Sequence, residues 1–130
     1  MVTDWGVHVF FERSLTWLAA GDVAVQFYGP ALYVKRDLDI ESVQLYVPVG
    51  SEPTGCSLIV NIEDDGASIF STTPEIDAGQ HLKDGNEVFS ATTIAAGSWM
   101  RMRVLQKGST LPGTDLTVML NCMKILVWVP

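Results

Sequence analysis

His8 and His81 are the only side chains in this chain whose ordinary pKa suits general base work near neutral pH. His8 falls in an alternating stretch, opposite the row Trp5, Val7 and Val9, and His81 in a loop rich in Gly and Asp. Neither is flanked by a nucleophile motif such as GxSxG, so both read as structural. Carboxylates are more numerous. Glu75 with Asp77, or the run Glu63-Asp64-Asp65, would offer oxygen ligands of the kind calcium takes. No EF-hand or nonapeptide spacing accompanies them, and the run reads better as a hairpin tip. A glycosidase needs two carboxyls facing each other across a cleft, and nothing selects such a pair. The expectation is a protein that is not an enzyme, with no catalytic residue, cofactor or metal site.

Aromatic side chains are the remaining chemical handle. An exposed Trp or Tyr can stack on a pyranose ring, and Trp99, Tyr46 and Tyr33 are the candidates for glycan or partner contact. Trp99 and Tyr46 each lie on the row opposite the expected core face. A subunit contact suits them even better, because Trp and Tyr are enriched there. Trp5, Trp17 and Trp128, with Phe10, are expected in the core or in an interface near the termini. The cysteines, Cys56 and Cys122, have no zinc-like spacing and are expected as buried free thiols rather than as a disulfide.

The elements that position these groups are strands. Val43, Leu45 and Val47 alternate with polar neighbours, as do Leu58, Val60 and Ile62; Met100, Met102 and Val104; and Leu116, Val118 and Leu120. A period of two puts each row in a core and the other row toward solvent or a partner. Trp5, Val7, Val9 and Phe11 are expected to share a face, as are Val23, Val25 and Phe27, with Leu15 and Trp17 between them. Asp64-Asp65-Gly66 is a hairpin signal, and Ser51–Gly55, Asp84–Asn86 and Leu111–Thr114 read as loops. Ile69-Phe70-Ser71-Thr72-Thr73 before Ile76 to Gly79 is echoed by Val88-Phe89-Ser90-Ala91-Thr92-Thr93 before Ile94 to Gly97. Each copy reads as a strand ending in a Gly turn. Short strands at such spacing predict an all-β, antiparallel β-sandwich of jelly-roll type, in one domain over residues 1–130.

The totals narrow the partners. A formal net charge of −7 disfavours duplex nucleic acid and anionic membranes. Neither terminus carries a signal peptide or a membrane span, so the chain reads as soluble. A hydrophobic fraction of 48% and a mean hydropathy of +0.25 exceed what one core of this size needs, which points to a subunit interface.

From Leu32 to Leu120 the sequence resembles a domain that recurs in virion proteins of tailed bacteriophages. The resemblance rests on ordered segments: Val34 to Ile40; Pro53-Thr54-Gly55 leading into Leu58 to Ile62; Asp65 to Phe70; Pro74-Glu75-Ile76 with Ala78-Gly79; Ile94 to Gly97; Gln106 to Ser109; and Pro112 to Val118. Lys107 stands where that pattern expects an apolar residue. The resemblance implies a jelly-roll-like subunit of head, tail, baseplate or fibre that binds neighbouring subunits or host glycans, with no shared catalytic motif. A domain of this size starting at Met1 suits a capsid decoration protein, located in the virion and made in the bacterial cytoplasm. Its expected partners are the major capsid protein or tail subunits, in a homo-oligomer such as a trimer. Residues 1–31 and 121–130 are the expected docking or oligomerisation ends.

Overall fold

The computed structural model describes residues 7–129, with side chains from residue 13 to residue 123. Eleven strands are described: β1 (Val7–Asp22), β2 (Phe27–Tyr33), β3 (Leu38–Tyr46), β4 (Leu58–Asp64), β5 (Ala67–Ser68), β6 (Phe70–Thr72), β7 (Glu75–Ile76), β8 (Val88–Phe89), β9 (Thr93–Ile94), β10 (Trp99–Gln106) and β11 (Thr114–Val129). Sheet A runs β1-β11-β3-β9, and sheet B runs β2-β10-β4, with β5 and β7 both paired to the far edge of β4. Every pairing is antiparallel. Counting β5 and β7 as one interrupted edge strand leaves two four-stranded sheets whose order is that of a jelly roll. Among the described residues no helix is long and apolar enough to cross a membrane.

The core follows the alternation read from the sequence. Val43, Leu45 and Val47 of sheet A, continuing into the residue after β3, face Leu58, Val60 and Ile62 of sheet B, and all six are essentially without solvent contact. Met100, Met102 and Val104 join from β10, and Leu116, Val118 and Leu120 from β11. Removing such rows from water is the main favourable term in forming the sandwich. Leu15, Trp17 and Ala19 form the β1 row of this core. Trp17 is therefore core, not interface, and at 3% exposure it cannot reach a partner.

One expected strand face is not there. Val23 and Val25 lie in the connection between β1 and β2, so the spacing of Val23, Val25 and Phe27 does not describe one face. Val23 is buried, its N–H donating to the Gly113 carbonyl at 2.9 Å, whereas Val25 is exposed. Phe27 opens β2 and joins the outer side of sheet B.

Local turn chemistry accounts for the connections. Asp65 (φ 49°) and Gly66 (φ 90°) make the two-residue β4–β5 hairpin loop, in the left-handed conformation that a primed turn requires. The two echoed segments face each other: β6 pairs with β8, and Phe70 stacks on Phe89 with ring centroids 4.9 Å apart. Their continuations then separate, β7 to sheet B and β9 to sheet A, each burying its isoleucine, Ile76 or Ile94.

The loops at one end of the sandwich are clamped on Thr54. Its N–H donates to the Leu111 carbonyl (2.9 Å), its carbonyl accepts from Thr110 N–H (3.0 Å), and its hydroxyl oxygen accepts from Leu111 N–H (3.0 Å). Gly79 N–H reaches the Pro53 carbonyl at 2.7 Å. Gly108 lies against this clamp, where a Cβ would overlap the Leu111 carbonyl oxygen and stand 2.8 Å from Thr54 nitrogen. Lys107 beside it is exposed. Gly108→Ala should therefore lower unfolding free energy by about 1–3 kcal/mol in denaturant titration, the usual cost of forced overpacking. An unchanged midpoint would show that the clamp yields freely.

Candidate functional site

On the outer side of sheet B the alternation of β10 exposes Trp99, Arg101, Arg103 and Leu105. The register sets their neighbours. Trp99 lies opposite Tyr33, Arg103 lies between Phe27 and Asn61, and Arg101 lies opposite Glu63. Trp99 and Tyr33 meet with ring centroids 4.9 Å apart at a 56° tilt, and each is about half exposed. The Arg101 guanidinium carbon sits 3.8 Å from the Phe27 ring centroid and that of Arg103 5.0 Å from the same ring. Arg103 also stands 3.9 Å from Glu63, a long ion pair between an exposed guanidinium and a largely buried carboxylate.

The hairpin tip fixes the top of this strip. The Asp65 carboxylate accepts Trp99 N–H at 2.9 Å, and Asp65 N–H donates to the Trp99 carbonyl at 3.0 Å. The next loop is held likewise, with Asp37 accepting Ala96 N–H at 2.8 Å. The indole of Trp99 is thus carried on a backbone bound from both sides, a rigid platform rather than a loop tip.

The sequence candidates divide between the two faces of the molecule. Trp99 and Tyr33 come together on sheet B. Tyr46 lies on the outer side of sheet A, in line with Thr117 of β11 and Leu18 of β1. Leu18, Tyr46 and Leu82 are all exposed there, and Leu82 bridges Tyr46 through the backbone. Trp5 lies outside the described residues, as do the side chains of Phe10, Trp128 and His8. His81 is an exposed loop residue whose carbonyl accepts Val47 N–H. Phe27, Arg101 and Arg103 were missed by reasoning on aromatic residues alone. The signal available for the two arginines was the Trp-x-Arg-x-Arg spacing, which places them with Trp99 on one side of a strand.

Two further groupings complete the polar chemistry. Glu75, Asp77 and Asp84 bring carboxylate oxygens within 4.8 Å of one another, a donor set of the hard-cation type. Burial, and then the charge of Asp84, hold the Glu75 carboxyl above its ordinary pKa. A hollow of about 150 Å³ lined by Arg13, Ser14, Glu41, Asn121 and Cys122 lies where β11 leaves β3. Both cysteines are free thiols. Burial pushes the Cys122 thiol up to about 11, while half-buried Cys56 donates to the Lys107 carbonyl at 3.1 Å.

A raised carboxyl pKa means that ionised Glu75 opposes folding. The penalty is absent below the ordinary carboxylate range and complete once pH exceeds the folded-state pKa. Glu75→Gln should therefore match the parent in acid and be at least as stable at neutral pH, as measured by melting across pH. A loss of stability at pH 7 would contradict this. For the thiols, alkylation of the native protein at neutral pH should label Cys56 well before Cys122, read by mass spectrometry. Equal rates would mean that β11 opens readily. Comparison with known proteins finds no family model, no curated protein and no solved structure that matches this chain.

Proposed function

We propose that the protein is a non-enzymatic structural subunit of a tailed-phage particle, most simply a capsid decoration protein that binds and stabilises the shell as a homo-oligomer. The observation that carries this reading is the length of β1 and β11. Their pairing continues from Ser14↔Asn121 to Val7↔Val129, whereas β3 leaves β11 after Met123. Residues 7–11 and 124–129 thus form a two-stranded ribbon that runs on for roughly 20 Å beyond the third strand.

Its sequence is mostly apolar, Val7, Val9, Phe10 and Phe11 on one strand and Ile125 to Val129 on the other, with His8 and Lys124 as the polar exceptions. A two-stranded ribbon is marginal in water by itself, and one this apolar in sequence calls for cover. Neighbouring subunits supply such cover, at roughly 25 cal/mol for each Å² of apolar surface removed from water. The exposed row Leu18, Tyr46 and Leu82 lies on the same sheet, toward its other end, and offers a second apolar contact for a neighbouring subunit. The jelly-roll order of strands and the ordered sequence segments support a virion setting.

A second reading, a host-glycan-binding module of a tail or baseplate, is favoured by the exposed Trp99–Tyr33 pair. That pair lies on the other sheet, away from the Tyr46 row.

The decoration reading expects purified protein to co-sediment with phage shells and to raise the temperature at which they break. It also expects Leu18→Asp with Tyr46→Ser to weaken that binding while the sandwich still melts cooperatively. Shells that neither bind the protein nor gain heat resistance would end it.

A further inference from the structure

We infer that the outer face of β2 and β10 binds a carboxylated sugar, with the pyranose ring against Trp99 and Tyr33 and the carboxylate on Arg101. The inference rests on the glycan-binding reading and names the class of glycan.

Three observations carry it. Trp99 and Tyr33 present ring surface, half exposed, at a fixed 4.9 Å spacing on a backbone bound by Asp65. Sugar rings have an apolar side that such surfaces accept. Two residues along the same strand, Arg101 is held 3.8 Å from the Phe27 ring. A guanidinium stacked on a ring keeps its N–H donors, which lie in its own plane, for a bidentate acceptor such as a carboxylate. Arg103 has Glu63 within 3.9 Å, but among the described residues no carboxylate lies within ion-pair distance of Arg101.

The chain carries −7 overall, with eight Lys and Arg. Arg101 and Arg103 lie on this face, and Glu63 stands 3.9 Å from Arg103. With Glu63 taking Arg103, Arg101 is the cation on this face that offers its donors to a carboxylate. From Trp99 to Arg103 the strip spans roughly 13 Å of strand, room for a short oligosaccharide.

The test uses the full chain and an array of uronic- and sialic-acid oligosaccharides, the same compounds after carboxyl reduction, and a sulfated dextran as a polyanion control. The carboxylated compounds should bind, and carboxyl reduction should weaken binding at least tenfold. Arg101→Ala should cost a similar factor, Arg101→Lys should restore only part of it, and Trp99→Ala should abolish binding, with unchanged melting temperature in each variant. Reduced and carboxylated forms binding equally, with Arg101→Ala silent, would overturn the carboxylate inference and leave the glycan reading standing. Dextran sulfate binding as well as the sugars, indifferent to Trp99→Ala, would overturn it as a charge effect. No binding to any glycan would remove both.

Discussion

Strand β11 holds the molecule together. Among the described residues β1 pairs with no strand but β11, and β3 meets β1 through β11. Sheet A therefore cannot assemble until the C-terminal part of the chain has returned to its beginning, across more than ninety residues in the pair Trp17↔Val118. Sheet B depends likewise on β10, which lies between β2 and β4. Pairing of this kind must repay a large loop-closure entropy before it gains anything. The rows Met100-Met102-Val104 and Leu116-Val118-Leu120 supply that repayment, because they fill the centre of both sheets at once.

The strands that were legible in the sequence are those with one buried face. In β10, and in β3 from Val43 onward, the alternation of apolar and polar residues is the alternation of core and solvent, whereas β4 also buries Asn61 from its polar row. It failed at Val23, Val25 and Phe27, where a chance spacing of two runs across a turn. The short strands β5 to β9 carry too few residues to show any period. Their pairing comes from contacts such as Phe70 on Phe89, which no local pattern encodes.

The candidate site was half legible for a related reason. Alternation places Trp99 and Tyr46 outside, but not on which sheet, so only the fold separates Tyr46 from the Trp99–Tyr33 pair. Register, not sequence distance, sets Arg101 and Arg103 on Phe27, more than seventy residues earlier. The Glu75-Asp77-Asp84 group is of the same kind: two members are adjacent in the pattern, and the third arrives through a loop. The segments Val34–Ile40 and Ile94–Gly97 lie more than fifty residues apart in sequence. They touch through Asp37 and the backbone of Ala96.

The ribbon brings a topological consequence. Because Val7 lies opposite Val129, the described chain starts and stops at one tip, while the Thr54 clamp occupies the opposite end of the sandwich. A short link across that tip would make the backbone a closed circle with every strand pair intact. The chain could then be reopened in an exposed turn such as Gly85-Asn86. In such a permuted molecule the ribbon of β1 and β11 becomes a hairpin, its two strands joined in sequence as well as by pairing.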